Sequence, residues 1–415
     1  MPNVLDRRTL VRSVPLLPLL PRLAKAQGRP SARPVRIGVL TDLTGPYADS
    51  GEGSLLAAQM AVEDYAKVNP ALRVEVVPGD MQGKTDNGLT IAREWLDRGE
   101  IDAIADIPQS ALALAVAGLV RERDKVGLLN SPLTSDLTTK ACSPNHVQWT
   151  YDTYSLGGGT AGALMAEGDK SWFFITADYA FGRTMANDTA ALVRKGGGTV
   201  TGEVAHPFPG VTDFSAFLLQ AQASRARVIA FANAGNDTIN CVKQAHEFGL
   251  TQGGRQRLAA LLLVLSGVHA IGLETAQDLV MSEPFYWDMT DETRSWSRRF
   301  QRRNPRDAMP LSPAAGCYSA IIHYLKAVDA LGSEKAKASG KLVVEQMKRA
   351  PTEDALFGRN TVRADGRFMN PMHLFRVKAP SRSKYPWDYL ETVRTTPADQ
   401  VYRPLAEGGC AFLKG

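Results

Sequence analysis

The residues best suited to holding a ligand fall in five short polar loops, each set where an apolar run gives way to a helical pattern. Residues 108–110, Pro-Gln-Ser, make the first. There the Ser110 hydroxyl and the backbone N–H groups of a helix start can receive an anion such as a carboxylate. Capping of its own helix is the other use of Ser110, and the two are compatible. Residues 130–136 bring Ser131, Thr134 and Ser135; residues 177–182 bring Tyr179; residues 233–237 bring Asn233; residues 266–269 end on His269. Asp152, Asp178 and Asp237 can supply negative charge if the ligand carries an ammonium group. Aromatic residues gather at Trp149, Tyr151 and Tyr154, and again at Phe285, Tyr286 and Trp287. They can pack a hinge core or wall a cleft for a flat, largely apolar ligand.

No catalytic constellation accompanies these loops, and an enzyme is not expected. The sequence has no G-x-S-x-G elbow and no H-E-x-x-H pair. Its six histidines, His146, His206, His246, His269, His323 and His373, are widely separated and read as structural or surface residues, with His269 the one candidate ligand contact. Gly157 to Gly162 fits G-x-G-x-x-G formally. No clear buried strand precedes it and no acid follows at a strand end, so the glycines are expected to let a helix pack closely rather than to bind a dinucleotide. Gly51-Glu52-Gly53 comes late after the first strand and lacks a third glycine. Of four cysteines, Cys142 and Cys410 stand in polar, turn-rich segments and are disulfide candidates, while Cys241 and Cys317 sit in apolar helical patterns as buried thiols. One bridge or two are possible. Without CxxC spacing or a neighbouring histidine, no metal and no cofactor are expected.

The elements that must carry the loops alternate strand and helix. Strand-like runs at 35–40, 72–77, 101–107 and 126–130 are interleaved with helical patterns at 55–68, 87–98 and 111–124. A second series follows: helix 156–167, strand 172–176, helix 184–195, strand 199–205, helix 214–224, strand 228–232, helix 238–248 and the apolar run 258–265. The last third holds long helical patterns at 293–303, 314–331 and 342–349, then a strand pair over 357–376 around the turn 364–366. This predicts an α/β protein of two doubly wound, Rossmann-like lobes joined by a three-crossover hinge, with a cleft between them. The expected boundaries are 1–26 for a signal peptide, 35–150 with 288–356 for the N-terminal lobe, and 151–287 with 357–415 for the C-terminal lobe. The leader reading rests on Arg7, Arg8 and Arg12, the apolar run 14–20 and Ala24-Lys25-Ala26. Residues 6–12 also fit a twin-arginine signal, the alternative being an ordinary secretory leader. The 48 Lys/Arg and 43 Asp/Glu give a net charge of +5, and the leader holds five of the basic residues and one of the acidic, which leaves +1. Nucleic-acid binding therefore lacks its electrostatic motive, and the arginines at 298, 299, 302 and 303 read as a solvated helix face.

In order and spacing the chain resembles the periplasmic solute-binding proteins of ABC importers, of the leucine/isoleucine/valine-binding type. Carrying the resemblance are Thr44-Gly45-Pro46-Tyr47-Ala48 and Gly51 after the first strand, Ala61-Val62-Glu63-Asp64, Asp136-Leu137-Thr138, Trp149-Thr150-Tyr151-Asp152, and Asp178-Tyr179-Ala180-Phe181-Gly182. The resemblance implies a type I periplasmic binding protein fold, a ligand carboxylate held at Ser110 and at residues 131–135, and Tyr179 reaching across from the second lobe. It also implies a monomer in the periplasm, with an importer permease as partner. Cys142-Ser143-Pro144 and Phe285-Tyr286-Trp287-Asp288 look like a branch associated with aromatic acids such as hydroxybenzoates or cinnamates. Amino-acid binders of the family place an acid near the fifth loop to meet the ligand ammonium, and this chain has Ser266-Gly267-Val268-His269 there. Pro132 and Leu133 also stand where small or hydroxylated residues are usual. An aromatic acid is accordingly expected as ligand, with an amino acid or amide, or a sensor subunit of the same fold, as alternatives.

Overall fold

The run VRIGVLT forms strand β1 (Val35–Thr41), six of whose seven residues are buried, the pattern of a strand covered on both faces. The structure, a computed structural model, describes residues 33–251 and 254–413; the leader expectation lies outside them. After β1 come α1 (Ala48–Val68), β2 (Val74–Asp80), α2 (Thr85–Asp97), β3 (Ala103–Asp106), α3 (Ser110–Glu122), β4 (Val126–Leu129) and β5 (His146–Gln148). The five strands form one parallel sheet in the order β2-β1-β3-β4-β5. Strand order reverses beside β1, and a doubly wound sheet opens its ligand crevice at the strand ends there. Helix α1 begins well before the apolar pattern at Leu55, with the small residues Gly51, Gly53 and Ser54 buried in its first turns. A Cβ on Gly51 would stand 2.0 Å from the Asp42 carbonyl oxygen. Strand β5 is three residues long, too short to show a period, and the sequence reading had no counterpart for it.

The second series is α4 (Thr153–Ala166), β6 (Ser171–Ala177), α5 (Ala180–Lys195), β7 (Thr199–His206), α6 (Ser215–Ala223), β8 (Val228–Ala232), α7 (Asn236–Glu247), β9 (Arg257–Ala260), α8 (Leu265–Ile271) and the short α9 (Leu273–Ala276). Its strands pair in parallel as β7-β6-β8-β9. Gly157 to Gly162 lies inside α4 rather than at a strand-to-helix turn. A Cβ on Gly157 would meet Thr189 Oγ1 of α5 at 2.3 Å, and one on Gly159 would meet Ser282 Oγ at 2.2 Å, so these glycines serve close packing.

Strand β10 (Val280–Glu283) leads into α10 (Asp291–Gln301), α11 (Ser312–Leu331), α12 (Ser333–Ala338) and α13 (Gly340–Arg349). Helix α11 packs on α1, β3 and β4, and α13 on β4, so this segment covers the first sheet. Strands β11 (Thr352–Asp354), β12 (Gly358–Val362) and β13 (Phe368–Met369) form a small antiparallel sheet against α11 and α13. Then β14 (Met372–Val377) pairs with β10 and with β15 (Leu390–Thr396), beside α4. The expected strand pair around 364–366 is the β12–β13 hairpin. The boundary expected at 357 moves to residues 370–371, because β12 pairs with β11 and packs on α13 instead of joining the second lobe. Two short helices close the chain, α14 (Ala398–Val401) on α4 and α15 (Leu405–Gly408). Cys410 then returns to the first lobe, where it forms a disulfide with Cys142, Cα–Cα 5.6 Å; Cys241 and Cys317 are free and buried. No helix among the described residues is long and apolar enough to cross a membrane.

Candidate functional site

Three passages of chain join the lobes, at residues 149–152, 284–290 and 370–371, and one buried cation, three residues before the third, holds the first. Arg367 has no exposure. Its guanidinium donates to the carbonyls of Trp149, Tyr151 and Phe368 and lies 4.6 Å from the Tyr402 ring centroid. Asp152 Oδ2 stands 3.7 Å away, close enough to balance the charge. Trp149 stacks on Phe368 at 4.1 Å and donates Nε1–H to Ser319, while Tyr286 and Trp287 both donate to the Trp387 carbonyl. These rings are buried packing of the hinge region, so the expected aromatic cleft wall is corrected: of that set, Tyr151 alone reaches the cleft.

Between the lobes lies a cavity of about 470 Å³, built from loops at the C-terminal strand ends. After β1, the buried Asp42 carboxylate accepts the N–H groups of Gly45 (2.8 Å), Tyr47 (3.0 Å) and Gly83 (3.0 Å), and this folds the loop that carries Tyr47 into the cleft. After β4, Ser131 lines the cavity and donates its hydroxyl to Asp106 at the end of β3. After β6, Tyr179 lines it from the other lobe. The ring of Tyr179 stacks on Phe208 at 4.2 Å, and its hydroxyl meets that of Tyr47 at 3.5 Å. Burial pushes the Tyr47 phenol up to about 12 and raises that of Tyr179 well above its ordinary value, so both remain neutral hydrogen-bonding groups. Leu133, Phe181, Ile239, Leu262 and Leu311 make much of the remaining wall apolar. Charge enters through Arg306, paired with Glu52 at 2.8 Å, and Asp49, which accepts from Ser266 Oγ across the cleft at 2.9 Å.

Of the nine residues expected to touch ligand, Ser131 and Tyr179 line this cavity, and His269 lines an adjoining one of about 280 Å³. The other six do not line it. Ser110 is buried and accepts from the Thr134 N–H at 3.3 Å, tying two loops together. Thr134 caps a short 3-10 turn, and Ser135 donates to the buried Asp188 at 2.6 Å. Asp152 caps α4 through the Ser155 N–H at 2.8 Å, with Ser155 reciprocating. Asn233 is used by Thr238 Oγ1 (2.8 Å) and His206, and Trp287 by the Trp387 carbonyl. The physical reason is shared: a polar side chain at a strand end that is buried must spend its donors and acceptors on its own loop. Tyr47, Asp42, Asp106 and Arg306 were not singled out as site residues. Tyr47 had a usable signal, a polar loop directly after the first strand, and Asp106 had another, an acid ending an apolar run; Arg306 had none. No cluster of His, Cys, Asp or Glu fit to hold a metal occurs among the described residues.

Residues 34–384 match the family model described as "Periplasmic binding protein". A crystal structure of a periplasmic binding protein from Burkholderia mallei is 41% identical, with a TM-score of 0.86, covering 92% of this chain and 99% of its own. A branched chain amino acid ABC transporter periplasmic ligand-binding protein from Burkholderia xenovorans is 37% identical, TM-score 0.81, covering 91% and 99%. The Leu/Ile/Val-binding protein homolog 3 of Brucella melitensis is 26% identical over 226 residues, which span 52% of this chain and only 59% of that relative. The fold alone is shared with an ABC transporter solute binding protein from Rhodopseudomonas palustris in complex with 3,4-dihydroxybenzoic acid, 18% identical with a TM-score of 0.77 and covering 88% and 97%. With the match running from β1 past β14, and with two parallel sheets facing each other across a cleft, the chain belongs to the periplasmic binding protein family.

Proposed function

We propose that the protein is the periplasmic receptor of an ABC importer, closing on a small carboxylate with a flat apolar body and presenting the closed form to a membrane permease. The carrying observation is the inter-lobe cavity of about 470 Å³, walled by Tyr47, Tyr179 and Phe181 together with aliphatic side chains. A benzoate- or cinnamate-sized ring fits such a wall, since aromatic pairs add about 0.5–1.5 kcal/mol beyond burial. Ser131 would meet the carboxylate and Tyr179 would complete the contact from the second lobe when the hinge closes. The relatives that carry ABC transporter names, and the fold neighbour holding a dihydroxybenzoate, support this reading.

A second reading has one observation in its favour. Asp49 and Arg306 both line the cavity, and that pair of charges suits an amino-acid zwitterion. Both are already engaged, Asp49 by Ser266 and Arg306 by Glu52, which favours the acid without an ammonium group. Calorimetry with 4-hydroxybenzoate, cinnamate and leucine decides between them: an aromatic acid should bind more tightly than leucine. Tyr179→Phe should then weaken the aromatic acid by about 1 kcal/mol while the melting temperature holds, because ring packing on Phe208 survives and one hydroxyl contact is lost. Tight leucine binding beside no aromatic binding defeats the assignment.

A further inference from the structure

We propose that a carboxylate docking on Ser131 brings a proton with it, held on Asp106, so that Asp106 is the positioning residue that sets the hydrogen-bond polarity of the ligand site. The inference rests on the carboxylate reading above. Asp106 ends β3 with no exposure. Its Oδ1 accepts from Asn130 Nδ2 at 2.7 Å and lies against Ser131 Oγ; its Oδ2 has no hydrogen-bond partner. The hydroxyls of Thr41 and Ser54 lie near enough to favour the charged form, yet neither completes a hydrogen bond. The backbone here is held in a costly conformation: Asp106 and Ile107 have φ of 78° and 65°, unusual for side-chain-bearing residues and rarest for a β-branched one. Bonds from Asp106 N–H to Asn130 Oδ1 (3.0 Å) and from Ile107 N–H to the Leu40 carbonyl (2.9 Å) fix it there.

Counting protons gives the consequence. Ser131 has one hydroxyl proton. If Asp106 is ionised, that proton points back at Asp106, the cavity sees only serine lone pairs, and a buried negative charge stands directly behind them. Both features repel a carboxylate. If Asp106 is protonated, it donates to Ser131 Oγ, and the serine proton is released to face the ligand. Burial already raises the acid above the ordinary carboxylate range. A bound anion on the far side of Ser131 raises it again. The titratable groups facing Asp106 are Tyr151, from the first passage, and Cys317 of α11, both kept neutral by burial. From β1, α1 and the end of β4 it meets Thr41, Ser54, Asn130 and Ser131, none of which titrates in the working range. The proton comes from solvent, and anion and proton bind cooperatively. Carboxylate affinity therefore falls as pH rises from the acid's value in the free protein to its value in the complex.

The test uses the full exported chain with benzoate, 4-hydroxybenzoate and cinnamate, titrated by calorimetry between about pH 5.5 and 8. The tightest binder should lose affinity by roughly three- to tenfold per pH unit within the window, with net proton uptake when heats are compared in two buffers of different ionisation enthalpy. Asp106→Asn, which cannot titrate, should remove the slope and the uptake; if that variant does not fold, uptake that survives both Asp237→Asn and Glu283→Gln supports the inference and uptake lost with either overturns it, since those two acids also titrate in this range. No binding of any of the three acids overturns the carboxylate reading and this inference together. Binding with a flat wild-type profile and no uptake, or a slope that persists in Asp106→Asn, overturns this inference only.

Discussion

Glu283 closes β10 with one carboxyl oxygen on the Ser312 hydroxyl and the other without a partner. Ser312 also faces the Phe285 carbonyl at 3.2 Å, and its single proton cannot serve both acceptors. A protonated Glu283 resolves the conflict by donating to Ser312, which then donates to Phe285. Burial pushes this acid up to about 8 from 4.5. Since the folded value lies above the unfolded one, its contribution to stability is complete below about pH 4.5 and is lost as pH rises towards 8. Glu283→Gln should therefore gain on the wild type by up to about 1.4 kcal/mol per pH unit across that window, read from denaturant melts at several pH values. A stability difference that does not change with pH refutes the neutral acid. Such residues were hard to see in the sequence, where Glu283 stands one position before Pro284 with no mark of burial. The polar loops were visible as loops, yet Ser131 and Ser135 look alike in sequence. Packing alone turns one to the cavity and gives the other to Asp188.

At the scale of elements, α4 shows how far periodicity reaches. Its helical span was legible, although its first turn was not, because Asp152 and Ser155 make a capping box rather than a ligand contact. The glycine run was legible as a packing device, but the partners Thr189 and Ser282 come from elements far along the chain. These glycines should separate by position. Gly157→Ala should cost about 1–3 kcal/mol, since the added methyl meets a fully buried threonine. Gly162→Ala, exposed on the same helix with nothing within 4 Å, should gain up to about 1 kcal/mol from helix propensity. Equal effects in thermal melts would remove the packing role. The aromatic clusters near the passages misled for a related reason: Trp149 is buried in packing while Tyr151, two residues on, lines the cleft, and sequence does not say which face of an irregular segment turns inwards.

At the scale of the molecule, the alternation of strands and helices over residues 35–260 was enough to give two parallel sheets, because most of the strands are short runs that lead into a helix, and the central ones β1, β3, β6 and β8 are almost wholly buried. Beyond that alternation the helices α10, α11 and α13 and the β12–β13 hairpin were still legible, but β11, β14 and β15 were not, because their partners are set by tertiary contacts, and β15 has only one buried residue. Arg367 belongs to the same blind region. It reads as a surface arginine in the turn after Asp365-Gly366, yet it holds two carbonyls of the first passage, those of Trp149 and Tyr151, from a position three residues before the third. Motion between lobes must bend around that fixed point.

The bridge from Cys142 to Cys410 has a consequence for the protein under tension. It short-circuits the chain: residues 143–409, which include the whole second sheet, α10 to α13 and all three passages, lie inside a closed ring. Pulled between residues 34 and 413 in an optical trap, the oxidised protein should lengthen by no more than about 380 Å, the contour of residues 34–142 with the short tail beyond the bridge, and by about 1,300 Å once reduced. A full-length extension without reductant would mean that the ring is open. With the ring intact, force entering at the two ends peels away β1 to β4 and leaves β5 and the hinge inside the ring.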